Sequence, residues 1–457
     1  MKLLLNIAKV LCVFIFLIFS SLSFGQTAFN LAKEKSSKIR FQLINNIIVM
    51  PLELNGVKLS FVLDSGVSRP ILFNLVNMDS LQIKNTEQSY LRGLGSNGSI
   101  QAIRSRGNII KVGEAVAVNR DVSLVFDESI NFTSRLGVSV HGIIGYDIFK
   151  DFIVEVNYKS KYLRLYKREY FSKKRISKWK ELDIEIVNLK PYLNGEVVVD
   201  NKLVPVKLLI DTGGSDALWL FENSNKNIVI PTESVFDDFL GKGLSGSVYG
   251  KRSKFNAFKL ANLELHKVNV AYPDSASLSI ARNFKERNGS VAGSILKRFN
   301  HFFDYENKKL YIKKNGNFNL PFYYNNSGIT VEQNGFRVAK EKYTKSRRDS
   351  YGRKVDNTSG IDLFDTYKMV LKPSFTVVEL RKNSNAMEAG IKIGDIILSV
   401  NAKETSNLSL QELNKFFYDK KGKLLRVRVD RGGKELSFRF QLDDVFKKKE
   451  PSKEGSN

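Results

Sequence analysis

LSFVLDSGVSRPILF (59–73) and VKLLIDTGGSDALWLF (206–221) state one pattern twice. Each begins with an apolar run of strand-forming residues, Phe61-Val62-Leu63 in one and Leu208-Leu209-Ile210 in the other. Each then meets an Asp (Asp64, Asp211), a hydroxyl residue (Ser65, Thr212) and a Gly (Gly66, Gly213). A second hydroxyl follows four residues after the Asp, at Ser68 and Ser215, before a new apolar run. The repeat extends downstream, where HGIIGYDIFKDFIVEVNYKSKYLRLYK (141–167) parallels NGSVAGSILKRFNHFFDYENKKLYIKK (288–314). Asp64 lies 81 residues before Gly145, and Asp211 lies 82 before Gly293. Two landmarks recurring with one residue of slippage mark an internal duplication, the feature to look for before any other.

A single Asp-Ser/Thr-Gly is an ordinary strand-end turn. Two copies related by duplication deliver two carboxylates to one pseudo-symmetry axis. Like charges held that close cannot both ionise comfortably, so the pair shares a proton. The ionised member takes a proton from a water between them, and the protonated member polarises a carbonyl. Apparent pKa values then belong to the pair and not to either residue.

The two Asp motifs, with Ile143-Ile144-Gly145 and Val291-Ala292-Gly293 about 80 residues on, resemble the two lobes of an aspartic peptidase. The second copy is similar to the pepsin-type signature, and the short lobes to retropepsin subunits in tandem. The resemblance covers roughly residues 40–314 and implies Asp64 and Asp211 as a catalytic dyad. It implies supporting roles for Ser65, Gly66, Ser68, Thr212, Gly213 and Ser215, with Gly145 and Gly293 packing beside the active-site loops. Water is then the nucleophile, so no metal or organic cofactor is required. Gly/Ser-rich tips at 91–100 and 239–250 suit flaps, with Tyr249 near the second tip and Tyr90 just before the first.

A third region, 384–440, resembles the latter two-thirds of a PDZ domain: Ala389-Gly390-Ile391, Gly394-Asp395-Ile396-Ile397, an amphipathic helix with Leu410, Leu413, Phe416 and Phe417, and two closing strands. PDZ domains bind an extended peptide by strand addition. The resemblance assigns this role to Phe375, Thr376, Val377 and Val378, and a first PDZ strand to 322–335. A polar, basic insertion near 337–367 interrupts the domain, and its composition favours disorder.

The N-terminus carries a short basic start, the apolar core VLCVFIFLIF and a small-x-small site at Ser23-Phe24-Gly25. It reads as a signal peptide, an uncleaved anchor being the other reading. The lone Cys12 lies inside it, so the mature chain has no disulfide and fits a bacterial periplasmic or exported protein. Loss of Lys2 and Lys9 takes the net charge from +25 to +23, a field that favours anionic surfaces. No nucleic-acid motif is present, and His141, His266 and His301 lie too far apart in sequence to suggest a metal site. No other stretch reaches transmembrane length.

The expected architecture is an all-β pair of acid-protease (retropepsin-like) β-barrel lobes plus a C-terminal mixed α/β PDZ domain. Its boundaries are a signal at 1–25, a polar lead-in at 26–38, lobes at 39–172 and 173–318, a PDZ-like domain at 319–443 and a disordered tail at 444–457. The expected function is exported aspartic endopeptidase on polypeptide substrates, with the PDZ module recruiting substrate or regulating access. Two other readings stand beside it: a catalytically silent scaffold that binds peptides, and a latent peptidase held inactive by the basic insertion.

Overall fold

The computed structural model describes residues 28–73, 78–95, 97–127, 130–199, 202–278, 281–342 and 367–446. The leader (1–25), the centre of the basic insertion (343–366) and the tail beyond Phe446 lie outside the described residues. The described chain is mostly β and divides into two units. One holds the residues up to Phe132, Ser139–Phe322 and Phe446; the other holds Thr133–Val138 and Tyr323–Val445.

In the first unit the sequence duplication becomes a structural one. Its first copy runs, in sheet order, Ile47–Leu54, Val57–Leu63, Gly142–Ile144, Ile71–Leu72, Ala115–Leu124, Ser99–Val112 and Thr86–Arg92. The second copy runs Lys190–Val199, Lys202–Asp211, Gly289–Ala292, Leu218–Leu220, Leu263–Pro273, Gly246–Leu260 and Phe236–Gly243. The order is the same, and each sheet closes on itself through the same extra pairing, of Ile47–Leu54 with Ser99–Val112 and of Lys190–Val199 with Gly246–Leu260. Two-residue turns with positive φ at both positions start each copy, at Asn45-Asn46 and Asn188-Leu189. Asn55-Gly56 makes a third, the turn chemistry that matches strand twist and fixes register.

The two copies meet in a shared antiparallel platform. Ser36–Arg40, Tyr162–Tyr166 and Ile153–Asn157 join Phe299–Asp304, Lys309–Lys314 and Lys180–Val187, with Val154 opposite Phe303 and Val156 opposite His301. Burial of Phe149, Phe303 and Tyr305 fills the space above it, the Phe149 and Tyr305 rings stacked at 5.2 Å. His301 lies inside the same aromatic cluster, and burial pushes its pKa down to about 3.

Two sequence boundaries shift, and the polar lead-in gains a structure. The lead-in is ordered from residue 28: Phe29 and Leu31 are buried in the core, Phe29 donates its N–H to the Asp151 carboxylate (2.8 Å), and Asn30 bridges to Val116. The second copy ends at Phe322 and not at 318, because the buried Arg298 guanidinium donates to the Phe318 carbonyl (2.9 Å) and lies 3.7 Å from the Phe322 ring. Asp444, the first residue of the expected disordered tail, is held by Lys421 at 2.5 Å.

The second unit orders its strands Ile329–Lys342, Tyr367–Leu380, Ile396–Val400, Leu424–Arg431 and Lys434–Gln441. Helix Leu410–Phe417 is opened by a Ser409/Glu412 capping box and buries Leu410, Leu413 and Phe417. The basic insertion is not structureless throughout. Phe336–Lys342 pairs residue by residue with Tyr367–Pro373, so both ends of the insertion lengthen a hairpin. The sequence hid this because the two arms satisfy their backbone groups on each other without needing a buried face.

The Gly-Asp of the PDZ-like core has a clear physical task. Asp395 is fully buried and accepts two hydrogen bonds from Arg431 (2.6 and 2.7 Å) and one from the Lys392 N–H (2.9 Å). Removing one partner of such a pair strands the other. Asp395→Ala is therefore expected to lower unfolding free energy by about 3 kcal/mol, the low end for a buried pair because Arg431 is partly exposed. Urea denaturation of the second unit checks this, and a change under about 0.5 kcal/mol contradicts it.

Candidate active site

Strand Val57–Leu63 ends at Asp64 and strand Lys202–Asp211 ends on Asp211, so each carboxylate leaves the tip of a strand in the same way. The hydroxyls beside them do more than pin their own turns. Ser65 Oγ donates to the Ile210 carbonyl (2.5 Å) and accepts from the Thr212 N–H (3.1 Å). Reciprocally, Thr212 Oγ1 donates to the Leu63 carbonyl (2.8 Å) and accepts from the Ser65 N–H (2.9 Å). All four bonds cross between the copies and are buried. They clamp the two Asp-bearing loops together about the pseudo-twofold axis.

The carboxylates converge as a result. A Cβ placed on Gly213 would strike the Asp64 carboxylate, so only glycine permits this approach from the opposite copy. Gly66 donates its N–H to Asp64 Oδ1 (2.7 Å) and Gly213 donates to Asp211 Oδ1 (3.0 Å). Gly145 and Gly293 sit directly behind the two loops. A Cβ at Gly145 would meet the Asp64 and Val67 carbonyls, and one at Gly293 the Asn46 and Gly214 carbonyls. Ser68 and Ser215 stand apart from this network: their hydroxyls make no side-chain hydrogen bond among the described residues, and Ser215 offers only its carbonyl, to Asn46 Nδ2 (2.7 Å). The supporting role expected of those two hydroxyls is thus filled by Ser65 and Thr212.

Electrostatics separate the two carboxyls. Burial first, then the neighbouring Asp211 charge, pushes the Asp64 pKa up to about 7. Burial also raises Asp211, but Arg287, the Gly214 and Gly213 N–H groups and Lys190 oppose it. The arrangement therefore favours a proton on Asp64 and the negative charge on Asp211. Tyr305, whose buried hydroxyl has no hydrogen-bond partner among the described residues, lies within electrostatic reach of Asp64.

Hairpins Thr86–Arg92/Ser99–Val112 and Phe236–Gly243/Gly246–Leu260, one from each copy, interlock at their tips. Gly93 N–H donates to Ser245 Oγ (3.0 Å), Ser245 N–H to the Leu94 carbonyl (3.0 Å), Asn97 N–H to the Ser245 carbonyl (2.8 Å), and Ser245 Oγ to the Gly98 carbonyl (2.6 Å). Gly95 at φ +126° lies where a side chain would collide with the Ser245 carbonyl. Both expected flap segments are thus hairpins. Neither tyrosine is enclosed, Tyr90 being 68% and Tyr249 45% exposed.

In the second unit, one assignment is overturned. Phe375, Thr376, Val377 and Val378 belong to a strand with neighbours on both edges. Gln333, Glu332 and Val331 pair with Phe375, Thr376 and Val377 on one side; Ile396 and the Asp395 carbonyl occupy the other. Strand addition needs an edge, and the terminal strands of this sheet are Ile329–Lys342 and Lys434–Gln441. Phe375 and Val377 point into the core instead.

The sequence reading missed Lys190, Arg287, Asn46 and Ser245. Counting register outward from the repeated strands would have found the first of these. Among the described residues no group of three His, Cys, Asp or Glu side chains gathers as a metal site, and no helix is long and apolar enough to cross a membrane.

Comparison with known proteins fits this geometry. Residues 50–148 match the aspartyl protease family, and residues 346–442 match the PDZ domain family. The chain therefore carries an aspartyl protease domain followed by a PDZ domain. No curated protein matches it.

Proposed function

We propose that the chain is an exported aspartic endopeptidase with a bilobal acid-protease fold, in which Asp64 and Asp211 act on a bound water. The observation that carries this reading is the reciprocal Ser65/Thr212 clamp, which brings two strand-tip carboxyls together. Asp211 accepts a proton from the water as its oxygen attacks the peptide carbonyl, and Asp64 donates its proton to the carbonyl oxygen. In the tetrahedral intermediate the proton on Asp211 passes to the amide nitrogen. A hydroxyl proton returns to Asp64 as the C–N bond breaks, restoring the starting state. The leader and the absence of cysteine after it support a bacterial periplasmic or secreted location, and the +23 charge suits an anionic surface. The PDZ module would recruit or position polypeptide by adding an extended segment to its edge strand, Ile329–Gln333.

Cleavage of a proteome-derived peptide library by residues 26–457 between pH 3 and 8 tests the reading. Absence of cleavage throughout shifts the weight to a peptide-binding scaffold. Access should depend on the hairpin tips. Gly95→Val is expected to lower kcat/KM about 100-fold through misplaced tips while leaving thermal stability nearly unchanged. Equal kcat/KM would show that the interlock plays no part in turnover.

A further inference from the structure

The two copies are not equivalent beside their carboxylates. In the first, Val49 pairs with Val62 and Met50 with Phe61, so the register carried two residues on sets Ile47 across from Asp64. In the second, Leu193 pairs with Leu208 and Tyr192 with Leu209, so the register carried two residues on sets Lys190 across from Asp211. Lys190 lies within electrostatic reach of both aspartates, is only part-exposed, and closes no ion pair among the described residues.

A second cation stands behind it. Arg287 is 6% exposed, donates to the Gly289 carbonyl (3.0 Å) and Ser290 Oγ (2.7 Å), and covers the Phe221 ring at 5.0 Å. Tyr192 and Asp211 lie within its electrostatic reach. Its counterpart follows from matched hydrogen bonds. Asn288 exchanges bonds with Lys207 as His141 does with Ser60, so Arg287 corresponds to Val140. One copy thus offers Ile47 and Val140 where the other offers Lys190 and Arg287. Glu185, paired with Tyr192 across the sheet, is already engaged by Lys207 at 2.7 Å.

A dyad sharing one proton carries one negative charge, whereas two cations flank it on the second copy's side. The excess positive charge faces the row Tyr192, Leu209 and Ser290, which shares a sheet face with Asp211. Leu209 comes within 3.6 Å of a Cβ position on Gly66 of the opposite Asp loop, so this face borders the cleft. A polypeptide crossing a pseudo-twofold axis lays the residues on either side of its scissile bond against different copies. We propose that the subsite beside Asp211 is built for an acidic side chain, Asp or Glu, adjoining the scissile bond, with Lys190 as its specificity-determining residue. This inference rests on the peptidase reading above.

Non-cleavable hydroxyethylene peptides test it by binding alone. Pairs carrying Glu or Gln on either side of the isostere are titrated at pH 6 against residues 26–457, Lys190→Met and Lys190→Arg. The Glu peptide should bind about tenfold tighter at one flanking position, the scale of a charge-assisted contact. The ratio should fall to near one in Lys190→Met and recover in Lys190→Arg. Equal binding of Glu and Gln peptides by the unaltered chain, or a preference that survives Lys190→Met, overturns the inference while leaving the peptide cleft standing. Failure to bind any of these peptides overturns the peptidase reading, and this inference with it.

Discussion

Replacing Asp64 or Asp211 with Asn is expected to reduce peptide cleavage by at least about 10⁴-fold, the upper range of a general acid–base contribution. Each amide preserves shape and much of the hydrogen bonding, including the N–H bonds from Gly66 and Gly213. What it removes is proton transfer, and the mechanism needs one carboxyl in each state. In the unaltered chain, activity should persist toward neutral pH and decline above about 7, where Asp64 loses its proton. It should also fall in acid as Asp211 becomes protonated. Stability should respond in the opposite sense to activity. The folded-state pKa of Asp64 lies above its unfolded value of 3.8, so between about pH 4 and 7 the folded chain holds a proton that the unfolded chain releases. That difference costs stability as pH rises. Asp64→Asn is therefore expected to be more stable than the parent at pH 7, by about 2 kcal/mol after discounting for the cleft, and nearly equal to it at pH 4. Residual activity above one per cent in either variant would remove the dyad from the mechanism. A variant destabilised at pH 7 would contradict the burial of the Asp64 charge.

Much of this architecture is legible in the amino-acid sequence. The strand–Asp–hydroxyl–Gly unit, its downstream Gly and the 81- and 82-residue spacings point to two like copies, and the sheet orders of those copies match. Asn-rich turns and Gly-rich tips mark their hairpins because those residues accept positive φ. What stays hidden depends on partners far along the chain. Ser65 and Thr212 are 147 residues apart, and nothing local says that each hydroxyl serves the other's loop. Ser68 and Ser215 repeat just as faithfully without joining that network, so recurrence alone does not separate the clamp from its surroundings. The PDZ-like strand is misassigned from sequence for a related reason. Phe375–Val378 has the composition of a ligand-binding strand, but an edge is a property of sheet order, and the insertion conceals which strand lies outermost. Lys190 reads as a turn residue until the register sets it across from Asp211.

Breaking the clamp should uncouple stability from chemistry in a measurable way. Thr212→Val keeps the side-chain volume but deletes the hydroxyl that donates to the Leu63 carbonyl and accepts from the Ser65 N–H. Both backbone groups are buried, and each left unpaired costs about 1–3 kcal/mol. The expected destabilisation is about 3–5 kcal/mol, among the larger single-site effects. Ser65→Ala should cost a similar amount, because it strands the Ile210 carbonyl and the Thr212 N–H. The double variant should lose less than the sum, since both changes open one hydrogen-bonded ring. Thr212→Ser, which retains the donor and acceptor, should remain close to the parent. Turnover should fall about 100-fold in Thr212→Val, because loops no longer clamped place the carboxylates about an ångström off line. Chemical denaturation and steady-state kinetics on the parent and these four variants separate the outcomes. Additive losses in the double variant would show two independent caps. A destabilised Thr212→Val with full kcat would mean that the clamp holds the copies together without positioning the carboxylates.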